Sequence, residues 1–413
     1  MSVDSILSRI ESLKEEAFEL EKKLTAFRAL GPENGGDGEW EKAQFLKNKL
    51  LEIGVTEIIE VNAKDNRVSS GLRPNIIGIY PGKNHQRRIW IMTHMDVVPP
   101  GDLSLWKSDP WKVWMDEEGR IYGRGVEDNQ QDMVASILAL QAFAMEGEIP
   151  YYDVGLVFVS DEETGSDYGI KYVLSHRRDI FSKDDLIIVP DGGNPDGTEI
   201  EVAEKGILWM KFVVKGKQTH GSTPERGINA HKAGANLIVR LEKLYEIFPA
   251  RDPLFEPPIS TFEPTKKEAN VPNINTIPGE DVFYFDCRIM PTYPLKDIKE
   301  KVREIASGVE SDFGVKVEIS YPQEAEAAPP TPADAPVVVA IKKAVKDLRN
   351  LEARAIGIGG GTVAAHFREA GFYAAVWATM DETMHSPNEY AWMKNIIGDA
   401  QVFAYIMAGK ALE

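Results

Sequence analysis

Ile6, Ile10, Leu13, Ala17, Leu20, Leu24 and Phe27 step by three and four along the chain. That spacing predicts one amphipathic helix over 6–27 whose Glu- and Lys-rich positions form a solvated face. The glycine-rich stretch 31–38 ends it, and a second helix is predicted over 40–51. Short apolar runs then predict strands over 57–62, 75–80 and 88–92. A helix over 133–144, a strand over 154–160, a short helix over 168–174 and a strand over 186–189 follow. This alternation is that of an α/β domain with a mostly parallel central sheet.

Beyond residue 191 the pattern changes. Strands are predicted over 207–215, 281–289 and 315–320, with a helix face at Ala233, Leu237, Leu241 and Leu244 and a helix over 295–307. That succession fits a small α+β, ferredoxin-like unit inserted into the first domain. The Pro/Ala-rich run 323–336 reads as the linker back. A helix over 337–348, a glycine loop, a strand over 373–377 and a final helix from about 391 restore the α/β character. The expected boundaries are 1–203 and 324–413 for the larger domain and 204–323 for the insertion. No internal repeat or low-complexity tract is visible.

At 413 residues, two domains are the natural expectation. The formal charge of −18 argues against nucleic acid and anionic membrane as partners. The one cysteine, Cys287, excludes an intrachain disulfide, reads as inert core, and fits a reducing cytoplasm. The N-terminus lacks a signal-peptide succession, and no apolar run is long enough to cross a bilayer. The expected location is the cytoplasm.

Candidate chemistry gathers where predicted strands end. R-I-W-I-M runs into T-H-M-D-V-V-P-P, with His94 and Asp96; D-E-E-T-G follows the next strand, with Glu162 and Glu163; another ends in P-D-G-G, with Asp191. The loop Y-G-R-G-V-E-D-N-Q-Q adds Asp128, its glycines permitting a tight turn around the charged Arg124. Ligands in α/β sheets bind just beyond such ends. Each residue alone has a plain reading: His94 a strand-end histidine, Asp191 a turn, His385 a loop residue, His220 a turn cap. His94, Asp128, Glu163, Asp191 and His385 together form a mixed His/carboxylate set that suits zinc, and also cobalt or manganese. Asp128 could bridge two ions about 3.5–4 Å apart. Without cations, so many carboxylates in one cleft would repel. Outside the set, His85 reads as a hairpin turn, His176 as a helix end, His231 as a helix surface, and Trp106, Trp111 and Trp114 as packing.

The motifs T-H-M-D-V-V-P, G-R-G-V-E-D, D-E-E-T-G, P-D-G-G and D-E-T-M-H-S-P resemble those of the zinc-dependent aminoacylase, carboxypeptidase G, succinyl-diaminopimelate desuccinylase and acetylornithine deacetylase family of metallopeptidases. The likeness runs in order from about Arg73 to the C-terminus. It implies a zinc-peptidase-like catalytic domain with an inserted lid and dimerisation domain. Two divalent ions per subunit are implied, His94 and Asp191 on one, Glu163 and His385 on the other, Asp128 bridging. By the same resemblance Asp96 accepts a hydrogen bond from the His94 imidazole, Glu162 is the general base, and the Asp128–Asn129 peptide is cis. His220 resembles a lid histidine that stabilises the oxyanion in the neighbouring subunit's site. Asn275 and Arg288 match lid residues that contact the substrate's carbonyl or carboxylate. Gly359, Gly360, Gly361 and Thr362 match a loop whose N–H groups hold an anionic end, though glycine and threonine also start helices. A single-copy lid of about 120 residues goes with a homodimer.

The chain also departs from the pattern. Gln130 and Gln131 stand where lysine and glycine are common, and His366 lies roughly where some desuccinylases carry arginine. The expected activity is hydrolysis of a peptide or N-acyl amide next to a free carboxylate, by a dipeptidase, carboxypeptidase or N-acyl-amino-acid deacylase. Alternatives are a biosynthetic desuccinylase or acetylornithine deacetylase, a catalytically silent homologue that binds amino acids or amides, and a phosphohydrolase.

Overall fold

The computed structural model describes residues 3–412. They form two compact units: 3–202 with Thr331–Ile356 and 362–412, and Ala203–Pro330 with Gly357–Gly361. In chain order the strands used below are β1 (Glu57–Glu60), β2 (Ile76–Tyr80), β3 (Asn84–His94), β4 (Tyr152–Val159), β5 (Leu186–Asn194) and β6 (Glu199–Glu204). They continue as β7 (Gly206–Lys215), β8 (Thr261–Lys267), β9 (Glu280–Ile289), β10 (Lys316–Ala325), β11 (Arg354–Ile358) and β12 (Ala374–Thr379).

Eight of these strands form one sheet in the order β1-β2-β4-β3-β5-β12-β6-β11. The pairs β4–β3, β3–β5 and β5–β12 are parallel; β1–β2, β2–β4 and β12–β6 are antiparallel. The sheet is mixed, parallel only in its middle. Only a short connection separates β5 from β6, too few residues for a crossover, so the chain reverses there. In the parallel centre, Trp90, Met92, Val157, Val159, Ile187 and Val189 share one cluster with Ile170 and Val173. Their alternates Ile89, Ile91, Leu156, Phe158 and Ile188 are equally buried.

Two helices, α1 (Val3–Glu11) and α2 (Lys14–Ala26), replace the single one the N-terminal periodicity predicts. Ser12 Oγ donates to Arg9 O at 2.6 Å, a local bond that competes with helix, and Leu13 sits at φ −96°, ψ 17°. Ile10, Leu13 and Ala17 nonetheless stay buried. Helix α3 (Trp40–Glu52) follows, and α4 (Gln131–Glu146) is buried nearly all round, packed against β3, β4, α1 and α2. His85, expected in a turn, lies in β3, its Nδ1 2.7 Å from Asp153 Oδ1.

The second unit has the sheet order β8-β9-β7-β10, antiparallel throughout. With α5 (Ala230–Leu241) and α6 (Leu295–Phe313) its succession is βαββαβ, the ferredoxin-like topology. Leu208, Phe212, Phe283 and Cys287 pack against Leu237, Ile298 and Val302, and burial pushes the Cys287 thiol far above its ordinary range. Edge strand β8 escapes the apolar pattern because T-F-E-P-T-K-K buries only Phe262 and carries Pro264 and two lysines, residues that suit an edge. β10 runs on to Ala325, past the expected start of the linker. Among the described residues, no helix is long and apolar enough to cross a membrane.

Candidate metal centre

Five loops of the first unit converge. His94 ends β3, Glu162 and Glu163 follow β4, Asp191 lies late in β5, Asp128 precedes α4, and His385 follows β12. His94 Nε2 is 2.9 Å from Asp128 Oδ1 and 3.4 Å from Asp191 Oδ1. His385 Nε2 is 3.1 Å from Asp128 Oδ2 and 3.0 Å from Glu163 Oε2. In each trio, His94–Asp128–Asp191 and Asp128–Glu163–His385, the donor atoms lie within 4.8 Å of one another. Asp128 belongs to both and turns one oxygen to each.

Asp96 divides its work between backbone and side chain. Its carbonyl accepts from His94 Nδ1 at 3.0 Å, nearer than its Oδ1 at 3.6 Å. Its carboxylate instead accepts the backbone N–H groups of Glu162 at 3.0 Å and Glu163 at 3.1 Å. One residue thus steadies both the imidazole and the D-E-E turn. The Asp128–Asn129 peptide is cis. Asn129 Nδ2 donates to Asp191 Oδ1 at 2.9 Å and to Pro190 O at 2.6 Å.

Two further carboxylates, absent from the expected set, hold these loops. Buried Glu389 accepts from Arg124 Nη1 at 2.6 Å and from the N–H groups of Gly125 at 2.9 Å, Glu127 at 3.0 Å and Asp128 at 3.1 Å. Buried Glu127 accepts from Asp381 N at 2.7 Å, and from Thr383 through both its N–H and its hydroxyl. The sequence-level signal was Arg124, a charge between two glycines in a buried turn. Its guanidinium also lies 5.2 Å from the Trp106 ring, so Trp106 packs, as expected. The His385 loop needs such support. Glu382, His385 and Asn388 adopt φ of +58°, +60° and +61°, a left-handed backbone that costs a non-glycine residue about 1 kcal/mol or more.

Burial disfavours charge on His94, but Asp191, Asp128 and Asp96 outweigh it and hold the imidazole well above its ordinary range. Hydrogen bonds to Asp128 and Glu163 push His385 up to about 10. Burial would lift Asp128 too, yet His385 and His94 hold it below the usual carboxylate range. Burial raises Glu162, Glu163 and Asp191, with Asp191 adding to the shift at Glu162. Glu163 Oε1 is buried without a hydrogen-bond partner in the protein. Nitrogen and oxygen donors, buried carboxylates and an orphaned oxygen together fit a pair of divalent cations. With its pKa pushed up to about 10, His385 holds its extra proton at pH 7 in the metal-free protein, and a cation must displace it. Zinc added to metal-free protein in weak buffer is expected to release at least about one proton per chain, that of His385, read with a pH indicator. Release of none would contradict this ligand set.

The expected lid residues fall into two groups in the second unit. His220 pairs with Thr276 on a short ribbon, and Gly221 N donates to Asn275 O at 2.7 Å; the His220 and Asn275 side chains are exposed. Arg288, on β9, donates to Asp286 at 2.7 and 3.0 Å and to Gly359 O at 2.9 Å. Gly360 is half-buried and Gly361 exposed. Thr362 belongs to the first unit, where its carbonyl accepts from Ala365 N at 3.1 Å in the first turn of the helix Ala364–Glu369. His366, on that helix, has Nδ1 3.3 Å from Glu369 Oε2, and burial lowers its pKa.

A mixed α/β sheet carrying two donor trios that share one aspartate defines the class: a protein with a centre built for a pair of divalent metal ions. The chain belongs to peptidase family M20/M25/M40, whose model matches residues 90–409. It is 44% identical to an uncharacterised metallohydrolase of Methanococcus maripaludis, over 96% of this chain and 100% of that protein. It is 24% identical to a succinyl-diaminopimelate desuccinylase of Nitratiruptor, over 91% of this chain and 94% of that one. The fold is similar to the crystal structure of aminopeptidase PepT from Bacillus cereus, with a TM-score of 0.75 at 17% identity, over 98% of this chain and 99% of that one.

Proposed function

We propose that the chain hydrolyses a peptide or N-acyl amide bond beside a free carboxylate, as a dipeptidase, carboxypeptidase or N-acyl-amino-acid deacylase. The observation that carries this reading is Asp128, whose two oxygens face two separate donor pairs, with Glu162 on the turn next to Glu163. Two cations, zinc foremost with cobalt or manganese as alternatives, would supply Lewis-acid polarisation of the amide carbonyl and of an attacking water. His94 and Asp191 would hold one, Glu163 and His385 the other, and Asp128 both. Glu162 takes the proton of the attacking water and delivers it to the departing nitrogen. Burial, with the Asp191 carboxylate beside it, raises its pKa, which strengthens it as the acceptor of that proton. Asp96 keeps the Glu162 backbone fixed during both transfers.

From the family resemblance we assign His220 to oxyanion stabilisation across a homodimer, Asn275 and Arg288 to the substrate's carbonyl or carboxylate, and Gly359, Gly360, Gly361 and Thr362 to its anionic end. Residues 204–323 are then the lid. Arg288 suits its part because a guanidinium fork matches a carboxylate. The lone buried Cys287 agrees with a cytoplasmic location.

A second reading is a biosynthetic deacylase, favoured by curated relatives named succinyl-diaminopimelate desuccinylase. The test is one panel with zinc-loaded enzyme: dipeptides, N-acyl amino acids, N-succinyl-diaminopimelate, N-acetylornithine and an aryl phosphate. Turnover of dipeptides or N-acyl amino acids is expected. Turnover of the two biosynthetic compounds alone would favour the second reading, and of the phosphate alone would overturn both.

A further inference from the structure

The turn that carries Asp128 and the loop that carries His385 are zipped together before either reaches its ligand. Arg120–Tyr122 pairs antiparallel with Tyr390–Trp392, and Gly123 N donates to Glu389 O at 3.1 Å. Past that ladder each segment sends one buried carboxylate into the backbone of the other. Glu389 lies four residues after His385 and takes the N–H groups of Gly125, Glu127 and Asp128. Glu127 lies immediately before Asp128 and takes the N–H groups of Asp381 and Thr383 together with the Thr383 hydroxyl. At the far end of the loop, Asn388 is tied to the Leu105 carbonyl at 2.9 Å and the Lys107 N–H at 2.7 Å. The His385 loop, with three non-glycine residues at positive φ, is thus held at both ends. A loop in so unfavourable a conformation persists only where its surroundings over-determine it.

We propose that Glu127 and Glu389 are positioning residues that form a reciprocal clamp, each carboxylate fixing the loop that carries the other segment's metal ligand. The two halves are not equivalent. Glu127 grips only the His385 loop, which contributes to the Asp128–Glu163–His385 trio. Glu389 grips the turn of Asp128, which belongs to both trios. Loss of Glu127 therefore weakens one ion, and loss of Glu389 weakens two. A residue that merely helped the fold would produce no such asymmetry. The inference rests on the dinuclear reading above.

The test loads the full-length protein with Co2+ or Zn2+, removes free ion by gel filtration, and reads metal content together with the visible absorption of the Co2+ form. Wild type is expected to retain about two ions per chain. Glu127→Ala is expected to lower the affinity of one ion by about 10- to 100-fold, the usual effect of losing an outer hydrogen-bond partner, with half of the cobalt absorption unchanged. Glu389→Ala is expected to weaken both ions by a similar factor. Thr383→Val keeps the side-chain volume and deletes the hydroxyl's hydrogen bonds to Glu127 and to the Tyr390 carbonyl and N–H, and is expected to weaken the same single ion by about 10-fold. It carries the test if an alanine variant does not fold. Glu127→Gln, which keeps one acceptor oxygen, should recover part of the loss. Two ions bound with wild-type affinity in Glu127→Ala, or equal loss of both from a folded Glu127→Ala or Thr383→Val, would overturn the clamp. A wild type that binds no ion would instead overturn the dinuclear reading itself.

Discussion

Glu162→Gln is expected to lower kcat by about 100- to 10,000-fold, the span that a positioned proton-transfer group contributes. Glutamine has nearly the same shape, but it can neither take a proton from water nor give one to a leaving nitrogen. Glu162 lies outside both donor trios, so the ions should stay bound. Its backbone N–H should also stay on Asp96 Oδ1, at 3.0 Å, because that bond does not involve the side chain. The variant therefore isolates the proton transfer from metal binding. KM should change little, since the loss falls on the transition state. Steady-state kinetics together with metal content check this. Activity within tenfold of wild type, with two ions present, would remove Glu162 as the base.

Asp128→Ala is expected to abolish detectable hydrolysis and to weaken both ions by more than about 100-fold, above the range seen for outer partners. No other residue occurs in both trios, and its oxygens lie 2.9 Å from His94 and 3.1 Å from His385. Stability gives a second readout. Each site stabilises the folded chain by about 2.7 kcal/mol when free cation is 100 times its Kd. Wild type should thus lose Tm on chelation, and the variant should show almost no metal-dependent shift. Retention of one tightly bound ion in Asp128→Ala would mean that the aspartate is not shared.

His94, Glu163 and Asp191 were legible because each sits at or just beyond the point where an apolar run stops, whereas Asp128 and His385 were legible through the motifs G-R-G-V-E-D and D-E-T-M-H-S-P. R-I-W-I-M before His94 and the strand before Glu162 are local patterns, and a parallel sheet needs those ends to point the same way. The ferredoxin-like insertion was legible for a similar reason, through alternation in β7 and β9. Edge strand β8 was not, because a strand with a single buried residue leaves almost no period-two signal. The break between α1 and α2 was hidden too, since Ile10, Leu13 and Ala17 keep helical spacing across it.

By itself, then, the sequence determined which residues could hold metal, the order of the elements that bear them, and the family to which the chain belongs. Only the tertiary structure decided how those residues are held. Glu389 meets the Asp128 turn from 261 positions away, Glu127 meets Thr383 from 256, and Asp96 meets Glu162 from 66. Hydrophobic periodicity reports only which side of a segment leaves water. A buried carboxylate must find N–H groups wherever the fold brings backbone close to it, and no nearby stretch of chain records where that is.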